Sequence, residues 1–256
     1  MSTTLPELQG RVALVTGAGR GIGFAIAHRL AEAGCHIAIQ DIDETVAREA
    51  AARLAADTGV RTISLGGDAT DLDSAPAWID GTVAGLGGLH ILVNNAAIQI
   101  AGPWLEEQRA DIERQVRADF ILPLLLCQRA VPVLRQAGWG RILNVGSIQQ
   151  QGGNPGMITY AMSKAALGNL TTALGRELAK ENITVNQIAP GYIDNTVRNR
   201  GSLHDDASRE RAQSAIPARR LGQPEDIGGL ALLLCSDAGS YITGQSIFVD
   251  GGLSAH

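Results

Sequence analysis

The sequence predicts an α/β fold, one domain built on a doubly wound parallel β-sheet with helices on both faces. Three observations carry that expectation. Short apolar strands alternate with helical stretches along the whole chain, and the first strand runs into a glycine-rich turn that opens a helix. The 256 residues, 45% of them apolar, suffice for one full core, and nothing reads as a linker, a repeat or a low-complexity tract.

The first element is the apolar strand Val12-Ala13-Leu14-Val15-Thr16, followed by Gly17-Ala18-Gly19-Arg20-Gly21-Ile22-Gly23 and a helical pattern over residues 24–33. Strand, glycine turn and helix make a pyrophosphate cradle. Gly17 permits the tight turn, Gly21 lets the backbone approach the phosphates, and Gly23 allows close helix packing. The helix amino terminus adds N–H groups and the positive end of its dipole. In a chain with 31 glycines such a cluster also reads as an ordinary turn; the flanking strand and helix favour the ligand. The next strand, residues 36–40, ends at Asp41, close to the spacing of roughly 20 residues at which an acidic side chain accepts hydrogen bonds from the adenosine ribose. A carboxylate there repels a 2′-phosphate and argues for NAD. Arg20, which offers a phosphate partner, pulls towards NADP.

Further along, the run from Arg141 to Ser147 reads as a buried strand, and a serine at its carboxyl end sits where open parallel sheets bind ligands. Tyr160 and Lys164 fall four apart in a stretch of good helix formers, one turn apart on one face. A free phenol titrates near pH 10, about three units above neutrality, and an adjacent ammonium favours the phenolate. Ser147, Tyr160 and Lys164 thus put a hydroxyl, a phenol and an ammonium where one carbinol oxygen meets all three. Tyr-x-x-x-Lys alone also arises on ordinary solvated helices; the company of Ser147 gives it weight.

With these motifs in hand, the chain resembles the short-chain dehydrogenase/reductase family over essentially its whole length. The resemblance rests on Thr16 to Gly23, Asp68 in Gly67-Asp68-Ala69-Thr70, Asn94-Asn95-Ala96-Ala97 and Ser147. It continues through Tyr160 and Lys164, Pro190-Gly191, and Val249-Asp250-Gly251-Gly252. It implies a single Rossmann-fold domain over residues 1–256, with a segment over about 192–216 covering the substrate. It also implies cofactor contacts at Gly17, Arg20, Gly21, Ile22, Gly23, Asp41, Asp68, Ala69, Asn95 and Ala96. Asp68 would touch the adenine ring, although an N-cap-type turn after a strand is its plainer reading. Asn94 and Asn95 would stabilise the central sheet, and Tyr160 and Lys164 would reach the nicotinamide ribose. Pro190 and Gly191 would line the nicotinamide face, with Ile193 and Thr196 near the carboxamide. A homotetramer is implied too, with interfaces from helices around 111–134 and 160–180 and from the carboxyl terminus.

Departures from the family pattern touch three positions. Where the family carries an asparagine four residues before a proline or glycine, this chain has Asp119 ahead of Pro123. That asparagine holds a water of a proton relay beside the lysine. An aspartate accepts the same hydrogen bonds but donates none, and its charge is free to pair with Lys164. Asn195 stands where the family has threonine, with Thr196 following. Ala97 replaces a glycine and asks only for a negative φ.

The substrate expectation comes from amide side chains. Gln99 follows the asparagine motif, and Gln149, Gln150, Gln151 and Asn154 follow Ser147. Amides both donate and accept, which suits the hydroxyls of a sugar or polyol better than a steroid or acyl chain. Gln99, Gln149, Asn154, Trp104 and Tyr192 are the candidate substrate contacts, with Ser147 on the reacting oxygen. Arg198, Arg200, Arg209 and Arg211 offer partners for an anionic group.

The expected activity is therefore an NAD-dependent sugar or polyol dehydrogenase, acidic sugars included. The alternatives are an NADPH-dependent reductase of the 3-oxoacyl carrier-protein type and a catalytically silent NAD-binding protein. A net charge of −5 argues against nucleic acid as a partner, and no apolar run approaches the roughly 18 residues of a membrane span. The amino terminus lacks the features of a signal peptide, so the cytoplasm is the expected location. Cys35, Cys127 and Cys235 read as core thiols, and the histidines show no metal spacing.

Overall fold

The computed structural model describes residues 8–194, 203 and 205–255. Seven strands form one sheet: β1 (Val12–Val15), β2 (His36–Asp41), β3 (Thr62–Gly66), β4 (Ile91–Asn94), β5 (Gly140–Val145), β6 (Ile183–Pro190) and β7 (Ser246–Val249). Their order is β3-β2-β1-β4-β5-β6-β7, and every pairing is parallel. The helices between them are α1 (Gly21–Glu32), α2 (Glu44–Thr58), α3 (Ala75–Leu86), α4 (Arg109–Val116) and α5 (Leu122–Ala137). They continue with a short α6 (Gln149–Gly152), then α7 (Ile158–Leu178), α8 (Asp206–Ala215) and α9 (Pro224–Cys235).

Strands this apolar work because both faces of the sheet are covered. Ala13, Val15, Ile37, Ile39 and Val93 pack under α1, α2 and α9, while their neighbours Val12, Leu14, Ala38 and Leu92 pack under α3 and α5. Alternate side chains point to opposite faces, so a strand buried on both reads as a continuous apolar run. Local signals set the element ends. Asp43 caps α2 by accepting from the Thr45 and Val46 N–H groups, and Gly59 ends it at φ 73°.

From β1 the chain builds outward through β2 and β3, then returns to place β4 on the other side of β1. The crevice at the carboxyl ends of β1 and β4 is the topological switch point, where open sheets of this kind bind ligands.

One expected element differs. The helical stretch over 111–134 is not a single α-helix: α4 ends at Val116, residues Arg117–Ile121 form a π turn, and α5 follows. Leu122 N–H reaches back to Arg117 O. Pro123 has no N–H to give Asp119 O, and its ring crowds that carbonyl, so the ladder widens at Asp119.

Candidate active site

The cradle is built at the switch point. Gly17 and Gly21 both adopt φ 60°, the left-handed region that glycine enters without steric cost. A Cβ on Gly17 would stand 2.9 Å from Ala96 Cα, and one on Gly23 would stand 2.5 Å from Asn95 Nδ2. Gly19, to which the sequence assigned no role, is equally constrained, since a Cβ there would meet Val46 Cγ1 at 2.5 Å and Asp41 Oδ2 at 2.7 Å.

Two polar clamps hold the turn. Asn95 Nδ2 donates to Thr16 O and Gly17 O, both at 2.9 Å, while the Thr16 hydroxyl accepts from the Asn95 and Ala96 N–H groups and donates to Val93 O. Thr16 thereby ties β1 to β4 where they part. Asp41 accepts from Gly19 N–H at 3.0 Å and from Asp43 N–H at 3.3 Å. Gln40, which sequence reasoning missed, accepts from Gly17 N–H and donates to Gly67 O.

Gly17, Gly23, Gln40, Asp41 and Gly67 line a cleft of about 470 Å³ together with Arg20, Ile22, Ile42, Asp68, Ala69 and residues 95–99. Asp68 lines the cleft, and its Oδ1 accepts from Thr70 N–H at 2.8 Å in a turn. The glycine turn, the clamped backbone and the ribose-side carboxylate fit a dinucleotide.

At the neighbouring strand ends, Ser147 follows β5 and Tyr160 and Lys164 lie on α7, all three buried. Lys164 Nζ donates to Val145 O at 3.1 Å and stands 5.6 Å from the centre of the Tyr160 ring. Asp119 on the π turn is fully buried, with Oδ1 4.0 Å from Lys164 Nζ and 2.9 Å from Ile98 N, whose N–H it accepts. Asn94 lies behind them in a buried chain, donating to Asn144 Oδ1, whose amide donates to the Thr171 hydroxyl.

The candidate substrate residues divide among three places. Gln99 lines the dinucleotide cleft and reaches Met157 Sδ. Gln149 and Asn154 line a recess of about 280 Å³ with Gln151, Leu253 and Ser254, so the carboxyl-terminal segment contributes a wall that no local motif announces. Gln150 lies by Gly146 and Gly168, near Gln187, on the sheet side of that recess. Trp104 is exposed.

Pro190 O accepts from Ile148 N–H and Gly191 N–H donates to Val249 O, joining the β5, β6 and β7 ends. A Cβ on Gly191 would meet Asp250 Cβ at 2.7 Å. Tyr192 and Ile193 line a separate recess with Gly222 and Asp250, and Tyr192 packs on the cluster of Leu203, Ala212, Ile216 and Leu221 beneath α8. Arg209 on α8 is committed to Asp194. Thr196, Asn195, Arg198 and Arg200 lie outside the described residues. Ala97 needs no left-handed backbone: among described non-glycine residues only Asn182 and Arg219 have positive φ.

Comparison with known proteins places this arrangement in context. A family model described as enoyl-(acyl carrier protein) reductase matches residues 17–254. The chain is 34% identical over 247 residues to 3-oxoacyl-[acyl-carrier-protein] reductase FabG of Aquifex aeolicus, covering 96% of this chain and 98% of that one. Among solved structures, a putative short-chain alcohol dehydrogenase from Sinorhizobium meliloti superposes with a TM-score of 0.92 at 39% identity, over 97% of this chain and 98% of its own. A gluconate 5-dehydrogenase from Burkholderia cenocepacia, in complex with NADP and tartrate, gives 0.91 at 35% identity, over 98% and 97%.

Proposed function

The chain belongs to the short-chain dehydrogenase/reductase family of oxidoreductases, and from that premise we propose that it interconverts a secondary alcohol and its carbonyl on a sugar, polyol or sugar acid. A bound nicotinamide dinucleotide supplies the hydride acceptor or donor. The glycine turn, Asp41, Asp68 and the Asn95–Ala96 backbone would hold its adenosine and pyrophosphate. Tyr160 takes the hydroxyl proton in oxidation, and Ser147 donates a hydrogen bond to the same oxygen. The Lys164 ammonium steadies the negative charge on the phenolate, and in reduction the proton moves the other way. The observation that carries this reading is the buried set at the end of β5, where Lys164 Nζ stands 5.6 Å from the centre of the Tyr160 ring and donates to Val145 O, two residues before the buried Ser147.

Amide and hydroxyl groups in the recess beside Ser147 support a polyhydroxylated substrate, as does the similarity to a gluconate 5-dehydrogenase. NAD is the proposed cofactor, because the Asp41 carboxylate is held at the cleft by two backbone N–H groups and would repel a 2′-phosphate. A second reading, an NADP-dependent reductase of carrier-bound 3-oxoacyl groups, is favoured by the FabG relative, by NADP in the B. cenocepacia structure and by Arg20 at the cleft. A homotetramer is the proposed assembly from the family resemblance, and exposed Met162 lies on α7, one of the helices that resemblance places at its interfaces. Among the described residues no helix is long and apolar enough to cross a membrane.

The test is absorbance at the reduced-nicotinamide band, with NAD and then NADP, against gluconate, other sugar acids and polyols, and in reverse against 3-oxoacyl thioesters. Turnover of a sugar acid or polyol is the expected result. Turnover of 3-oxoacyl thioesters alone would overturn the substrate, and NADP dependence would overturn the cofactor.

A further inference from the structure

The loop after β4 forms one side of the site, and its attachments meet at a residue outside every motif above. Ile98 N–H is taken by Asp119 Oδ1 at 2.9 Å and Ile100 N–H by Gln115 Oε1 at 3.0 Å. Gln115 and Asp119 lie one turn apart, so two alternate N–H groups of the loop are drawn to one helical surface. The side chain between them, Gln99, reaches Met157 Sδ at 3.2 Å, and Gly102 N–H donates to Gly156 O at 3.0 Å. Residues 98–102 are therefore fastened on one side to α4 and its π turn, and on the other to the segment just before α7.

Glu107 bridges those two sides. Its Oε1 accepts from the fully buried Gln115 Nε2 at 3.0 Å, and its Oε2 accepts at 2.9 Å from the Thr159 hydroxyl. Thr159 is buried and immediately precedes Tyr160. We infer that Glu107 is a positioning residue for the reaction, holding the wall at residues 98–102 in register with the start of α7 and so fixing how the substrate fits against Tyr160. Both oxygens of one carboxylate are used, each on a different element. Losing the group leaves Gln115 Nε2 and the Thr159 hydroxyl without their partner and lets the wall drift from the helix.

The kinetic arm of the test rests on the function proposed above; the exchange arm does not. In hydrogen–deuterium exchange, Glu107→Ala should speed exchange of the peptide covering 98–102 by about tenfold or more while peptides from β1 and β2 keep their rates. Glu107→Gln should stay within about threefold of the natural protein, because its amide oxygen still accepts from Gln115 and its NH₂ donates to the Thr159 hydroxyl. With gluconate as the probe and NAD or NADP as cofactor, Glu107→Ala and Thr159→Val should each raise the gluconate KM about fivefold or more and the dinucleotide KM by less than about twofold, since only Ile98 and Gln99 of the wall reach the dinucleotide cleft. Unchanged exchange and KM in Glu107→Ala, or equal damage from Ala and Gln, would overturn the inference. Should Glu107→Ala fail to fold, Thr159→Val, which removes one hydroxyl, decides on the same readouts. An unaltered natural enzyme that ignores gluconate would count against the substrate reading, and exchange alone would then decide the role of Glu107.

Discussion

Strand β5 has a buried cation at each end, and the two are partnered differently. At the amino end, Arg141 is 1% exposed, and its guanidinium donates to Ser236 O, Gly140 O, Asn182 O and Asp237 Oδ1 while lying 4.1 Å from the centre of the Trp139 ring. At the carboxyl end, Lys164 is as deeply buried, yet among the described residues it donates one hydrogen bond, to Val145 O, with Asp119 at 4.0 Å and the Tyr160 ring beside it. An ammonium has three donors and this one uses one, whereas the guanidinium makes four bonds with its five donors, so the lysine retains the larger share of its capacity. The difference separates a charge whose donors are largely committed to protein acceptors from one held in place with donors to spare, which the role proposed for Lys164 requires.

The largest expected effect breaks the carboxyl-end cluster. Tyr160→Phe should lower turnover by about 10²–10⁴-fold while leaving dinucleotide binding, followed by fluorescence titration, intact. Lys164→Met should abolish turnover and also cost about 3–5 kcal/mol in denaturant unfolding, because it removes the cation 4.0 Å from the buried Asp119 carboxylate. Adding Asp119→Asn, which still accepts from Ile98 N–H, should recover the stability and none of the turnover. Recovery of both would mean that the lysine serves the fold alone.

The amino-end cluster should behave in the opposite sense. Arg141→Met should lose about 2–3 kcal/mol of stability through the buried hydrogen bonds it withdraws from Ser236 O, Gly140 O and Asn182 O, with kcat and KM unchanged. A kinetic defect there would dissolve the distinction between the two ends. Asp41→Ala, which leaves both cations alone, should improve the ratio of NADP to NAD efficiency by about tenfold, equivalent to about 1.4 kcal/mol. An unmoved ratio would remove the argument for NAD.

The smallest effect concerns pH and again sits at the amino ends of the strands. His90 Nδ1 accepts from Val12 N–H at 3.1 Å and His36 Nδ1 from Arg61 N–H at 3.2 Å, both requiring an unprotonated nitrogen. Burial, and then Arg11 for His90 and Arg61 for His36, holds both below the ordinary histidine value. A folded pKa below the unfolded one adds stability that is complete above about pH 6.5 and is lost as pH falls through the lowered value. The melting temperature should therefore fall on acidification, and His90→Gln should flatten that slope.

How much of this was legible depends on how local the cause is. The cradle could be read because its requirements lie within one strand, one turn and one helix start, and the structure adds Gly19, the Thr16 clamp and Gln40, whose amide ties the turn to Gly67 from the next strand. The Ser147, Tyr160 and Lys164 set could be read because a four-residue helical spacing fixes two of its members and a strand end fixes the third. The π turn was half visible: Pro123 announces a carbonyl without a donor, but the choice between a kink and a wider turn depends on packing. Gln150, grouped with its neighbours as an amide lining the substrate site, lies by Gly146, Gly168 and Gln187 on the sheet side of the recess, because two glycines leave room there.

By itself, then, the sequence determined the order of strands and helices, the glycine turn, and which side chains are proposed to carry proton chemistry, since each follows from backbone sterics and short-range periodicity. Only the tertiary structure decided that Leu253 and Ser254 wall the recess beside Gln149, that Arg141 makes four hydrogen bonds where Lys164 makes one, and that Glu107 joins Gln115 to Thr159. Those contacts unite residues far apart in the chain. Their strength comes from burial and exact acceptor geometry, which exist only after the sheet has closed and water has been excluded.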